Sequence, residues 1–310
     1  MSVPHIVVLG SLNVDLISAV GELPRNGQTI FAESFVIENG GKGANQALAA
    51  SRLGANVTMI GRVGVDVFSE QVLADLKSEA VDVSRITKDE NHHTGIALIT
   101  VDSKSENTIV VSSGANMNCG QVELDYLQDC IFGASCLILQ NEVPLKVNLE
   151  AADIAQSNNV PVIWDPAPFV SDTNELIKKV DFLTPNQTEA ELLTNSELKD
   201  VESVHTALLK IKGFTEAICI ITMGPEGLFF LSEEELMHIP SSSVLSVDSV
   251  AAGDAFTAGL AVAISEGLTL SEAAELGSAA GALATTKRGA QIAMPFRAEV
   301  GSFTKKATSS

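Results

Sequence analysis

Basic residues are scarce in this chain. Nineteen lysines and arginines stand against 39 aspartates and glutamates in 310 residues, a net charge of −20. A deficit of that size argues against nucleic acid or an anionic membrane as partner, because both are held by a basic face. Any phosphate ligand must then be met by local backbone geometry, metal ions and a few basic side chains. Cysteine is sparse too: Cys119, Cys130, Cys136 and Cys219 show no CxxC spacing. Neither zinc nor a disulfide framework is expected, and Cys136 and Cys219 lie in apolar runs that suit buried thiols. No apolar stretch approaches the roughly 18 residues needed to cross a bilayer. The first four residues have neither the basic start nor the small-residue cleavage site of a signal peptide. A cytoplasmic protein is the expectation.

What the chain does have is apolar content, 45% of its residues. That is enough for a large core and excludes disorder. The length suits one large α/β unit with an appended element. Ile6-Val7-Val8-Leu9 is a buried strand closed by Gly10-Ser11. From about residue 130, strands at 135–139, 160–164, 181–183 and 217–221 alternate with helical segments, which predicts a parallel sheet covered on both faces. Residues 94–111 alternate at period two around a polar turn and read as a hairpin. With 14–38 they suggest a small sheet outside the α/β body. A polar tail follows Phe303.

The stretch that organises the chain is Val247-Asp248-Ser249-Val250-Ala251-Ala252-Gly253-Asp254-Ala255-Phe256. Tiny residues lead into an acid and then into an apolar run, the pattern of a tight loop opening a buried helix. Backbone N–H groups at Ala251, Ala252 and Gly253, with the helix dipole behind them, suit an anion. A carboxylate there repels such a ligand unless it has a separate task, and proton abstraction from a hydroxyl is one. Asp254 as a first-turn acid of the helix is the alternative.

Other strand ends are polar as well. Asn13 and Asp15, two apart on one face, suit a diol or a turn. Gly40-Gly41-Lys42-Gly43-Ala44-Asn45-Gln46-Ala47 is a glycine-rich loop entering an Ala-rich helix that Gly54 ends. Its spacing is neither a P-loop nor a dinucleotide fingerprint. It leaves backbone exposed to a small polar ligand, or is a structural turn. The strand at 135–139 runs into Gln140-Asn141-Glu142, and that at 160–164 into Asp165-Pro166. Asn186 and Glu189, three apart at a helix start, form a capping box, or meet a nucleotide phosphate and the hydration shell of Mg²⁺. Thr222-Met223-Gly224-Pro225-Glu226-Gly227 ends another strand.

Taken together, these segments resemble the PfkB-type carbohydrate kinases over about residues 5–300. The specific matches are Gly40–Ala47, Asn186-Gln187-Thr188-Glu189 and Asp248–Asp254. Weaker ones include Thr94–Leu98, Ser113-Gly114-Ala115-Asn116 and Lys287-Arg288-Gly289-Ala290-Gln291. The resemblance implies one doubly wound α/β kinase domain over 1–303, with a β-sheet lid from 14–38 and 94–111 that often forms a homodimer interface. It implies a sugar, ribose foremost, against Asn13, Val14, Asp15, Gly41, Lys42, Gly43, Ala44, Asn45 and Glu142, with Asp254 as the base. ATP is implied against Asn186, Glu189, Thr222, Met223, Gly224, Pro225, Glu226, Gly227, Gly253 and Ser278, with Mg²⁺. A K⁺ activator is implied at Asp248, Val250, Ala284, Lys287, Gly289 and Ala293.

Three residues depart from the family pattern. Ala293 stands where a Ser is usual, Asp165 where an Asn is usual, and Val65-Asp66 where Asp-Asp is usual. Substrate alternatives remain 2-deoxyribose, a hexose or a nucleoside, and a non-catalytic sugar-binding regulator is the reading from another class. With one Tyr and one Trp in the chain, stacking a nucleobase as acceptor is disfavoured.

Overall fold

The computed structural model describes residues 3–104 and 106–307. Strand β1 (His5–Leu9) shows why the centre is buried on both sides. Ile6 and Val8 point into one core, Val7 and Leu9 into the other. The chain continues through β2 (Asn13–Ala19) and β3 (Ser34–Gly40) into helix α1 (Lys42–Arg52). Then come β4 (Asn56–Gly64), α2 (Val67–Ser78), β5 (Val81–Asp89), β6 (Gly95–Val101) and β7 (Asn107–Ser112). Helices and strands next alternate: α3 (Gln121–Cys130), β8 (Cys136–Gln140), α4 (Leu145–Ser157) and β9 (Val162–Asp165). They continue with β10 (Phe182–Leu183), α5 (Gln187–Thr194), α6 (Val201–Lys212) and β11 (Ile218–Thr222). A hairpin of β12 (Leu228–Ser232) and β13 (Glu235–Ile239) precedes α7 (Ala252–Ser265), α8 (Leu270–Ala284) and α9 (Arg297–Ala307).

Nine strands form the main sheet in the order β13-β12-β11-β10-β9-β8-β1-β4-β5. Pairing is parallel from β5 to β11, and β12 and β13 close one edge antiparallel. One core takes its side chains from β1, α1, α7 and α8, the other from β1, β8, α4 and α6. This is the expected doubly wound α/β fold. The strands at 135–139, 160–164, 181–183 and 217–221 all form, within two residues of their expected starts.

Four strands make a separate small sheet, β3-β2-β6-β7. It includes the expected 94–111 hairpin, with β6 antiparallel to β7. Several elements were not in the sequence reading. The strands β4 and β5 and the β12–β13 hairpin carry no motif that marks them. Helix α9 runs to Ala307, into the segment read as a polar tail, and residues 308–310 lie outside those described.

Candidate active site

Three chain segments close on one another at the N-terminus of α1. Gly41 caps the helix with φ 88°, and a Cβ there would sit 2.7 Å from the Asn13 nitrogen, so only glycine fits. The first N–H groups of the helix are all used. Lys42 donates to Glu142 Oε2 at 2.9 Å, Gly43 to Ser11 Oγ at 3.2 Å, Ala44 to the Ser11 carbonyl at 2.9 Å and Asn45 to the Gly41 carbonyl at 2.8 Å. Ser11 Oγ in turn donates to Glu142 Oε2. The N–H groups of residues 42–45, expected to face a ligand, are therefore spent within the chain. Ala44 is fully buried, and the helix offers its side chains instead.

Those side chains converge on Asp254, which is buried. Asn45 Nδ2 donates to Asp254 Oδ2 at 2.9 Å and Gln46 Nε2 to Oδ1 at 3.0 Å. Lys42 Nζ lies 3.6 Å from the same Oδ1 and 3.2 Å from Asp165 Oδ2. Asp254 thus turns its oxygens to α1. Burial acts to lower the Lys42 pKa, but Asp165, Asp254, Glu142 and Glu189 outweigh it and hold the ammonium above its ordinary value. Asp165 is raised, first by burial and then by Asp254 and Glu189, against the pull of Lys42. The departure from Asn at this position has given Lys42 a second carboxylate to bridge.

The base of the small sheet supplies the other wall. Asn13 Oδ1 accepts from Asn116 Nδ2 at 2.7 Å, and Asn116 Oδ1 accepts from the Leu12 N–H at 2.9 Å. Asn13 therefore presents its amide N–H groups as donors. Asp15 is half-buried above Gly40, and burial, Glu142, Glu38 and Asp254 push its pKa up to about 7. Oδ1 of Asn45 is buried without a hydrogen-bond partner, an acceptor available to a hydroxyl. Val14 is a correction. It alternates to the opposite face of β2 from Asn13 and Asp15 and is buried in the core.

Beside Gly253 and Phe256 opens a cavity of about 570 Å³. Thr222, Gly224, Pro225, Gly227, Gly253 and Ser278 line it as expected. Met223 and Glu226 do not, since Met223 packs in the core beneath and Glu226 is exposed. Asn186 lies beside this wall, bridged to Thr222. The capping box at α5 does form: Asn186 Oδ1 accepts from the Glu189 N–H and Glu189 Oε2 from the Asn186 N–H. Asn186 Nδ2 and Glu189 Oε1 are left over for a ligand.

At the N-terminus of α7, Ala251 is left-handed with φ 58°. Ala252 donates to the Ser249 carbonyl at 3.3 Å, so the N–H groups at 251–253 are not all free as expected. Gly253 forms part of the cavity wall and the next residue is Asp254. The cavity wall thus includes the residue just before the buried carboxylate, whose oxygens face the polar side chains of α1.

A family model described as pfkB family carbohydrate kinase matches residues 3–297. The chain belongs to that family. It is 36% identical to the ribokinase of Haemophilus influenzae over 302 residues, 97% of this chain and 99% of the relative. It is 33% identical to the deoxyribokinase of Salmonella typhi over 254 residues, 81% of this chain and 82% of the relative. The structure of Arabidopsis thaliana ribokinase complexed with ribose and ATP superposes with a TM-score of 0.90 at 30% identity, covering 98% of this chain and 99% of that one.

In this kinase the segments expected to hold a cation are tied together by Asp248. Its Oδ1 accepts the Val250 N–H and its Oδ2 the Gly289 N–H, both at 3.1 Å. Ala293 is buried and adds only a methyl, and the Lys287 ammonium turns away to Glu299. Among the described residues no cluster of His, Cys, Asp or Glu is arranged to hold a metal directly. No helix there is long and apolar enough to cross a membrane.

Other residues of the site had no role in the sequence reading, and Asp165 was marked there only as a departure from the family pattern. Gln46 and Asp165 reach Asp254 or its partners, and Asn116 orients Asn13. Gln46 and Asn116 lie inside matched motifs but had no role assigned. Ser241, Ser242, Ser243, Ser246 and Thr285 line the cavity from loops and a helix end where only the fold brings them together.

Proposed function

We propose that this phosphotransferase is a ribokinase, converting D-ribose and ATP to D-ribose 5-phosphate and ADP. The observation that carries this is Asp254: buried, held by donors from α1, and next in the chain to Gly253 of the cavity wall. Asn13 donates to sugar hydroxyls, while Asp15 and Asn45 Oδ1 accept from them. Asp254 takes the proton of the 5-hydroxyl as the hydroxyl oxygen bonds to the γ-phosphorus of ATP, and the bond from that phosphorus to the β-phosphate oxygen breaks. The N–H groups at the start of α7 stabilise charge on the transferring group. Lys42, fully protonated, neutralises part of the pocket's negative charge.

Asn186 and Glu189 would face hydrated Mg²⁺, which when bound neutralises phosphate charge. Asp248 and its neighbouring carbonyls would hold K⁺ behind the α7 loop. The small sheet acts as a lid and pairs with the lid of a second copy. The likeness to a deoxyribokinase keeps 2-deoxyribose as the acceptor to be tested against ribose.

A coupled ADP-release assay across ribose, 2-deoxyribose, fructose and adenosine tests the substrate, with ribose expected to give the highest kcat/KM. Asp254→Asn should cost about 10²–10⁴-fold in kcat with ATP binding kept. Retention of more than about a tenth of the rate would sink the base assignment.

A further inference from the structure

Behind Asp254, two fully buried glutamines run from α1 to the end of β8. Gln46 Nε2 donates to Asp254 Oδ1 at 3.0 Å and to Asp165 Oδ2 at 2.8 Å. Gln46 Oε1 accepts from Gln140 Nε2 at 2.8 Å. The direction of this chain is set at its acidic end. An ionised carboxylate only accepts, so the Gln46 nitrogen must face the acids and its carbonyl must face away. Gln140 is then obliged to present its own nitrogen. A flipped Gln46 would set its carbonyl oxygen against two carboxylates. Gln140 is itself held, because its backbone carbonyl accepts from Asn148 Nδ2 at 2.6 Å and its side chain fills the space above Gly10.

The two oxygens of Asp254 are consequently not equivalent. Oδ1 faces the Gln46 amide and the Lys42 ammonium, whereas Oδ2 takes one bond, from Asn45. Oδ2, with one donor against two, has the more lone-pair capacity left. We propose, on the reading of Asp254 as the base, that Gln46 is a positioning residue for phosphoryl transfer. It clamps Oδ1 and so turns Oδ2 to the sugar hydroxyl, and Gln140 locks its amide in the only useful orientation.

The surroundings say why a neutral donor is needed. The groups that face this cluster are Lys42 from α1, Asp165 from β9, Asp15 from β2, Glu142 after β8 and Glu189 from α5, with Glu38 of β3 beside Asp15. So many carboxylates favour protonating one another. An amide donor favours the charged carboxylate without adding charge. Without it the oxygen has lost its one neutral donor among these acids, so the rate should fall most at low pH.

The test is the pH dependence of kcat and kcat/KM in purified variants. Gln46→Leu should lower kcat about 10–100-fold, keep KM for ATP within about twofold, and move the acid limb up by about one pH unit. Gln140→Leu should do the same more weakly, and the double variant should be no slower than Gln46→Leu. Gln46→Glu keeps the shape but replaces the donor by an acceptor. It should move the acid limb further still, and it serves if the leucine variant does not fold. An unshifted acid limb in the folded Gln46 variant, or a loss that multiplies in the double variant, would overturn the proposal. Asp254→Asn run alongside separates the two levels. If it keeps its rate the base reading fails, whereas a dead Asp254→Asn with an indifferent Gln46 variant removes the glutamine alone.

Discussion

Asp15 sits among Glu142, Glu38 and Asp254 and is partly desolvated, which raises its pKa from the ordinary carboxylate value to about 7. The folded protein therefore holds a proton there that the unfolded chain releases above about pH 4. The stability this contributes is complete below that pH and is lost as pH rises through about 7. Asp15→Asn removes the penalty. The ligand-free variant should gain Tm relative to wild type at pH 8, and the gain should shrink at pH 5. Equal differences at both pH values would mean that Asp15 is not desolvated as described. Gly253 gives a second check on this scale. A Cβ there would meet nothing within 4 Å, and alanine favours a helix over glycine by about 0.5–1 kcal/mol. Packing thus offers no reason for glycine, and ligand approach does. Gly253→Ala should keep or raise Tm while kcat/KM for ATP falls at least about tenfold; a fully active variant would detach Gly253 from the nucleotide.

Helix α1 is the element on which the site is hung. Its first turn carries Lys42, Asn45 and Gln46. At its other end, Arg52 Nη1 donates to the carbonyls of Gln291 and Met294, and the guanidinium lies 4.7 Å over Phe296. The helix is thereby joined to the segment that contains Ala293, while Asp248 joins the α7 loop to Gly289. A cation held at Asp248 would lose its one anionic ligand in Asp248→Ala, but a water could stand in for the hydroxyl missing at Ala293. K⁺ activation should therefore persist in the wild type, tighten in Ala293→Ser and vanish in Asp248→Ala. KCl titrations of kcat at constant ionic strength, with a bulky organic cation as balance, check this. A wild-type rate flat in K⁺ would remove the cation site and leave the kinase standing.

On the scale of the whole molecule, the small sheet has more apolar surface than one chain can cover. Strand alternation puts Ile17, Val36, Ile99, Ile109 and Val111 on the Asp15 face and Leu16, Phe35, Ile37, Leu98 and Val110 on the other. Phe35 is 56% exposed, Ile109 54% and Val110 64%. Exposed apolar residues on both faces of one sheet mark an association surface. If a second copy covers it, light scattering should give twice the 32.5 kDa of one chain, and Ile109→Asp should halve the mass while keeping the α/β body folded. A monomeric wild type at micromolar concentration would overturn the dimer.

Local chemistry was enough to read the parallel strands β1 and β8 to β11, the hairpin at β6–β7, the glycine-rich entry to α1 and Asp254 at the head of α7. Each depends on periodicity, β-branching or a tight turn within a dozen residues, and those act before any long-range contact forms. Other features needed the fold. That Gly43 and Ala44 serve the β1 end and leave the ligand to side chains follows from Ser11 and Glu142, the latter about 100 residues away. Val14 belongs to the core because β2 pairs with β3 and β6, which sets its face. The partners of Asp254 come from α1, more than 200 positions earlier. Which N–H groups stay open, which carboxylates share one ammonium and which amide is locked are matters of distances between remote segments, and a sequence pattern carries no such distances.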